Sequence, residues 1–119
     1  MARQERTQGE NLQVDVRSAP DRIVLRLLGE LDLASAPFLQ DKLESAESAE
    51  TPLMVLDLDD LAFIDSTGLR IILAAHERSV ERGQLLALTR GSQQVQRLMS
   101  ITHVGEHLRI IESADAQLV

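Results

Sequence analysis

Residues 63–69 read Phe-Ile-Asp-Ser-Thr-Gly-Leu, and within this stretch an apolar run stops and a helical pattern begins. The residues that follow repeat at the three- and four-residue spacing of an amphipathic helix, namely Leu69, Ile72, Leu73, His76 and Val80. Gly83 is a typical stop signal for that helix. Before the stretch, Pro52 opens the apolar run 53–56, which is typical of a central strand covered on both faces. The stretch therefore predicts a strand that leads directly into a helix, as in α/β folds.

The chain upstream opens with two strands that alternate apolar and polar residues. Their apolar positions are Leu12, Val14 and Val16 in the first strand and Ile23, Leu25 and Leu27 in the second. Turn residues separate the strands at 18–21, where Pro20 presets a backbone angle and Asp21 can bond its own main chain. Because parallel strands need a long crossover, this short link predicts an antiparallel hairpin.

A loop and a helix connect the hairpin to the central strand. We expect Gly29 to end the second strand and residues 29–32 to form a loop. Ser35 is a suitable N-cap, and Pro37 falls in the first turn, where its missing N–H costs little. The helix would face the sheet with the residues at positions i, i+4 and i+7, which are Leu39, Leu43 and Ala46.

Beyond Gly83 the pattern alternates again, with a strand at 85–88, a helix capped by Ser92, a short edge strand at 108–111 and a helical stub from Ser113. The whole order predicts an α/β domain with a mixed sheet, in which an N-terminal antiparallel hairpin is followed by βαβαβα units. We expect the domain to cover residues 11–119. Residues 1–10 lack periodicity and predict a flexible N-terminus.

The composition excludes several classes of function. The 119 residues include no cysteine, which excludes disulfides, thiolate nucleophiles and cysteine-ligated zinc. A net charge of −7 and an aromatic content of 2% argue against direct nucleic-acid binding. No apolar run approaches the length of a membrane span, and the first residues lack the apolar region of a signal peptide. We therefore expect a cytoplasmic protein that does not insert into membranes.

Ser66 is the residue at this junction that can carry regulatory chemistry. The ordinary use of serine here is helix capping, worth about 1 kcal/mol. Loops at the carboxyl ends of parallel strands, however, are where open α/β sheets bind ligands and partners. A phosphoryl group on Ser66 would meet free backbone N–H groups and the positive end of the helix dipole. The fold would tolerate that group, although the adjacent Asp65 would repel it.

Two segments of the chain resemble a known family. Residues 29–32, Gly-Glu-Leu-Asp, with 35–37, Ser-Ala-Pro, and the stretch 63–69 resemble the two signature segments of the STAS domain. More narrowly, they resemble bacterial anti-sigma-factor antagonists, over about 12–119, and the second segment is the more specific. One departure is present: family members often carry a Thr-Gly pair after the third helix, whereas residues 102–105 read Thr-His-Val-Gly.

The resemblance implies a STAS fold for 11–119 and a partner-switching function. The unmodified protein would bind an anti-sigma factor that is also a serine kinase, and so release the sigma factor. Phosphorylation of Ser66 would break this complex, and a metal-dependent serine phosphatase would restore it. The partner-binding edge would comprise Asp32, Asp65, Thr67 and Gly68. ATP and Mg²⁺ would belong to the kinase, so this chain would be a substrate and an inhibitor with no cofactor or catalytic site.

Alternatives of other classes remain open. The chain could be an unphosphorylated STAS interaction subunit of a transporter ATPase or a sensory complex, or could bind a small ligand beside Ser66. Thr67 is a weaker candidate phosphoacceptor.

A metal site would draw on Asp57, Asp59, Asp60 and Asp65, but the sequence completes no ligand set. A receiver domain is disfavoured by the opening hairpin, and a Ser66–His76 hydrolase pair by the lack of a G-x-S-x-G motif. A P-loop motif is likewise absent.

Overall fold

The computed structural model describes residues 3–8 and 11–117. The described elements follow the chain as β1 Arg3–Gln8, β2 Leu12–Ser18, β3 Arg22–Leu31, α1 Ala36–Glu47, β4 Leu53–Asp57, β5 Leu61–Ile64, α2 Ser66–Arg82, β6 Leu85–Thr89, α3 Gln93–Thr102, a 3₁₀ turn Val104–Glu106, and β7 Arg109–Ile111.

One mixed sheet contains all of the described strands. Its order is β1-β2-β3-β4-β6-β7, and β5 pairs separately with β3. Strands β2 and β3 pair antiparallel, which confirms the predicted hairpin, and the helix-linked strands β3, β4, β6 and β7 pair parallel. The predicted α/β class with a mixed sheet is therefore confirmed.

The helices pack on one face of this sheet. A single apolar cluster joins α1, α2 and α3 to alternate strand residues, among them Met54 and Leu56 of β4. The intervening residues of β4, Leu53 and Val55, belong to a second cluster on the opposite face, together with Ala114. Burial on both faces explains why the sequence of β4 is continuously apolar.

Strand β1 was not predicted. It pairs antiparallel with β2, although Arg3–Gln8 shows no apolar alternation, because a strand ladder rests on backbone hydrogen bonds that any sequence supplies. The proposed flexibility of 1–10 stays a prediction, and residues 1, 2, 9 and 10 lie outside the described residues.

Strand β3 does not end at Gly29, and the predicted loop at 29–32 is wrong. The strand continues to Leu31 through an irregularity between Gly29 and Glu30. Gly29 has φ +105°, and a Cβ there would lie 2.3 Å from the carbonyl oxygen of Asn11, so only glycine fits. The two added residues of β3 pair in parallel with β5. The strand predicted to lead directly into the helix is therefore present, but its separation from β4 was not predicted.

The ends of the later elements are partly as predicted. Gly83 ends α2 in the left-handed conformation, and Ser92 caps α3 by accepting the Val95 N–H at 3.3 Å, so both predictions are confirmed. Val80 is 65% exposed, however, which corrects the predicted apolar stripe of α2.

The helical stub predicted from Ser113 is wrong. Residues 112–117 form bends and a turn that lie against the helix-free face. Arg22 donates hydrogen bonds of 2.8 Å to the carbonyl oxygens of Ala114 and Ala116. These bonds from the sheet satisfy carbonyls that a helix would have satisfied internally.

Candidate functional site

The site lies where β5 ends and α2 begins. Asp65 has an extended backbone, donates its N–H to the Leu31 carbonyl at 3.1 Å, and accepts the Gly68 N–H on its carboxylate at 3.0 Å. Asp65 is therefore the N-cap, and the predicted capping role of Ser66 is wrong. The reason is that strand pairing with β3 continues through Asp65, which puts the extended conformation required of a cap one residue earlier.

Ser66 is the first residue of α2 and is exposed to solvent. Within the described residues its hydroxyl has no hydrogen-bond partner, because Asp65 already caps the helix. The hydroxyl thus lies at the positive end of the helix dipole and is open to a reagent from solution. Thr67, the weaker candidate phosphoacceptor, is half-buried.

Gly68 is buried at the contact between α2 and β3. A Cβ at this position would lie 2.6 Å from Cγ of Leu31 and 3.0 Å from its carbonyl oxygen. The lack of a side chain therefore lets the first turn of α2 approach the end of β3. This is a packing role, and a contact of Gly68 with a partner stays a prediction.

Asp32 follows β3 and organises the loop before α1. Its carboxylate accepts the Ser35 N–H at 3.0 Å, and the Asp32 N–H donates to the Ser35 hydroxyl at 3.0 Å. The hydroxyl in turn donates to the Glu30 carbonyl at 2.8 Å. Ser35 is thus the residue before α1, as predicted, but its side chain holds the loop and does not bond the first turn of the helix.

The register of the sheet brings Asp32 and Asp65 to the same edge. Leu31 and Ile64 are paired in neighbouring parallel strands, and each aspartate is the next residue along its strand. Two of the predicted partner-binding residues therefore flank the carboxyl end of the β3–β5 pair, beside the start of α2.

Two exposed apolar residues at this edge were missed from the sequence. Leu33, in the loop after Asp32, is 73% exposed, and Phe63 of β5 is 40% exposed. Phe63 pairs in register with Glu30, whose side chain is also exposed. The available signal for Leu33 was a large apolar residue directly after Asp32 in a loop, at a position that belongs to no periodic core pattern. We call Glu30, Asp32, Leu33, Phe63 and Ser66 the switch edge.

Gln94, in the first turn of α3, was also missed. Its side-chain amide bonds the backbone of Ile64, two residues before Ser66. The sequence held no signal for this contact, because the two residues are far apart along the chain.

The acids after β4 are engaged in local structure. Asp57 accepts the Asp59 N–H at 3.1 Å and the Thr89 hydroxyl at 3.3 Å, while Asp60 pairs with Arg26 at 2.7 Å. The Asp60 carboxylate raises the pKa of Arg26. In the part of the chain that the structure describes, no group of three or more potential ligands is arranged to hold a metal ion.

The position of His76 excludes the hydrolase pair with Ser66. His76 lies ten residues after Ser66 on α2, which corresponds to about 15 Å of helix rise and excludes a catalytic pair. None of the helices among residues 11–117 is long and apolar enough to cross a membrane.

Comparisons with known proteins agree with this geometry. The model of the STAS domain family matches residues 13–116. The chain is similar to the anti-sigma-B factor antagonist of Bacillus subtilis (strain 168), with 33% identity over 92 residues that cover 77% of this chain and 84% of that protein.

Two solved structures share the fold. The crystal structure of an anti-sigma factor antagonist from Mycobacterium paratuberculosis matches with a TM-score of 0.79 and 21% identity, across 87% of this chain and 88% of that one. The Bacillus cell fate determinant SpoIIAA in its phosphorylated form matches with a TM-score of 0.64 and 18% identity, across 82% and 90%.

Proposed function

The chain belongs to the STAS domain family, and from that premise we propose that it acts as an anti-sigma-factor antagonist controlled by phosphorylation of Ser66. The unmodified form binds an anti-sigma factor that is also a serine kinase, and the sigma factor is released. Phosphorylation reverses this binding, and a serine phosphatase resets the protein. The role itself is supported by the similarity to the anti-sigma-B factor antagonist.

The single observation that carries the phosphorylation step is the exposed Ser66 hydroxyl at the start of α2. Among the described residues it has no hydrogen-bond partner, so a kinase would break no contact of the side chain in order to reach it. Asp65 and Gly68 build the first turn without using this hydroxyl. The residue is therefore accessible and structurally dispensable, as a phosphoacceptor should be.

The helix start would also tolerate the product. A phosphoryl group adds about −1.5 to −2 charges, and an anion in the first turn is favoured by about 0.3–1 kcal/mol. Repulsion from the neighbouring Asp65 carboxylate acts in the opposite direction. That the related fold of SpoIIAA exists in a phosphorylated form supports the expectation that the fold survives the modification.

The modification would instead act on the partner. Leu33 and Phe63 are exposed apolar residues on the two chain segments that meet before α2, and a protein bound across both segments would exclude water from the Ser66 hydroxyl. A phosphoryl group at the same place would have to lose its hydration, and after transfer it would face the diphosphate that remains on the kinase. Both effects weaken the complex.

In this proposal the chain is a substrate and an inhibitor and needs no cofactor of its own. ATP and Mg²⁺ belong to the kinase, and the cycle runs in the cytoplasm, where sigma factors act. Asp32, Asp65 and Thr67 contribute to the surface that the kinase recognises.

The test is incubation with candidate anti-sigma-factor kinases of the host and Mg-ATP, read by intact mass. We expect one phosphoryl group on the wild type and on the matched control Thr67→Ala, and none on Ser66→Ala. Labelling of Ser66→Ala would contradict the site. No labelling by any kinase, combined with stable co-purification with a transporter ATPase, would favour the unphosphorylated interaction subunit.

A further inference from the structure

The side chain of Gln94 makes a two-point contact with the backbone of Ile64. The Ile64 N–H donates to Oε1 of Gln94 at 2.9 Å, and Nε2 of Gln94 donates to the Ile64 carbonyl at 2.8 Å. Both bonds are within the normal range of length, and both are partly buried. One side-chain amide thus satisfies the donor and the acceptor of a single backbone residue.

This contact replaces a missing strand. In the described sheet, β5 has β3 as its strand neighbour on one side. The N–H and C=O of Ile64 point to the other side, where they would otherwise be unpaired at a partly buried position. The amide of Gln94 has the donor and acceptor of a peptide group and so completes the ladder at this one residue.

Gln94 is itself held in place by the start of α3. Ser92 caps the helix through the Val95 N–H, and the Gln96 side chain donates to the Gly91 carbonyl at 2.9 Å. Val95 is fully buried in the core. The amide therefore projects from a fixed first turn, and the position of β5 is tied to that of α3.

Ser66 follows directly from this fixed point. Ile64 is held from the outer side by Gln94, and Asp65 is held from the inner side by the Leu31 carbonyl. The backbone that carries the Ser66 hydroxyl is thus bonded on both sides immediately before the helix begins.

We propose that Gln94 is a positioning residue for phosphorylation, which fixes the place at which the Ser66 hydroxyl meets the kinase. The inference rests on the proposed function, because it concerns the rate of that reaction. Gln94 acts through Ile64 and does not touch the reacting atoms. Its loss should slow phosphoryl transfer more than it weakens the encounter of the two proteins, since transfer depends on near-attack geometry.

The experiment compares Gln94→Ala and Gln94→Glu with the wild type, and uses Gln93→Ala as the matched control. Gln93 is the same residue type in the same helical turn, but it is exposed and is not bonded to Ile64. The Gln94→Glu side chain can still accept the Ile64 N–H but cannot donate to the carbonyl. Hydrogen exchange of the Ile64 amide reports whether the contact between Gln94 and Ile64 is intact. Steady-state phosphorylation, measured at a temperature where all variants are fully folded, gives kcat and KM.

We expect Gln94→Ala to lower kcat about tenfold with KM nearly unchanged, and Gln94→Glu to lower it at least as much, because a carboxylate oxygen would then face the Ile64 carbonyl oxygen. Ile64 exchange should become faster in Gln94→Ala, and Gln93→Ala should match the wild type in both readouts. Wild-type kcat in Gln94→Ala, or unchanged Ile64 exchange, would overturn the positioning role and leave the proposed function intact. An unphosphorylated wild type would instead refute the proposed function, and the positioning role with it.

Discussion

The carboxylate of Asp65 accepts the backbone N–H of Gly68 at 3.0 Å, and so α2 is capped without the hydroxyl of Ser66. We expect Asp65→Ala to lower the free energy of unfolding by about 1 kcal/mol, the usual cost of losing a cap. Ser66→Ala should change it by less than about 0.5 kcal/mol, since its side chain is exposed. Urea denaturation of both variants measures the difference, and equal losses would contradict the assignment of the cap.

The contact between Gly68 and Leu31 should be intolerant of even one methyl group. A Cβ at position 68 would lie 2.6 Å from a Leu31 side chain that is fully buried and 3.0 Å from its carbonyl oxygen. We expect Gly68→Ala to destabilise the fold by about 1–3 kcal/mol through overpacking. Gly105→Ala is the matched control, because the nearest atom to its Cβ would be 3.9 Å away. Similar thermal midpoints for the two variants would show that α2 can move away from β3 at little cost.

His103 occupies a position that suits glycine. It follows α3 with φ +59°, in the left-handed region. Members of the STAS family often carry glycine after the third helix. We expect His103→Gly to raise the free energy of unfolding by about 1 kcal/mol, because it removes the strain of a side chain in this conformation. His107→Gly, where φ is −102°, relieves no such strain and should bring no gain. Chemical denaturation of both variants and the wild type measures the change in the free energy of unfolding. A loss of stability in His103→Gly would disprove this explanation.

The exposed apolar residues of the switch edge should contribute to partner binding. We expect Leu33→Ala and Phe63→Ala each to weaken binding of the kinase partner about tenfold, as apolar anchors at a contact surface do. Val80→Ala is the control, because Val80 is similarly exposed but lies at the far end of α2. Titration calorimetry with the unmodified protein provides the measurement. Equal affinities in all three variants would exclude the switch edge from the interface.

The parts of the fold that follow local rules could be predicted from the sequence. The run 53–56 is apolar because β4 is covered on both faces, and Gly83 ends α2 because glycine adopts the left-handed conformation without strain. Ser66 was placed at the strand-to-helix junction from local information, its role as phosphoacceptor was implied by the family resemblance, and its exposure is seen in the structure.

The parts that depend on distant partners could not be predicted. Gly29 continues β3 because the backbone of Asn11 accepts the Glu30 N–H, and nothing near Gly29 in the sequence indicates this. The N-cap of α2 is Asp65 and not Ser66, because the Asp65 N–H is bonded to the carbonyl of Leu31 in another strand. The stub predicted from Ser113 failed because Arg22 binds the carbonyls of that segment.

The most direct measurement is the dissociation constant of the kinase partner for the unmodified protein and for the protein phosphorylated at Ser66, with circular dichroism recorded on both. We expect unchanged spectra and binding at least about tenfold weaker after phosphorylation, because a buried like-charge contact costs more than 1.4 kcal/mol. Equal affinity of the two forms, or loss of the native spectrum on phosphorylation, would contradict control through the surface of the switch edge.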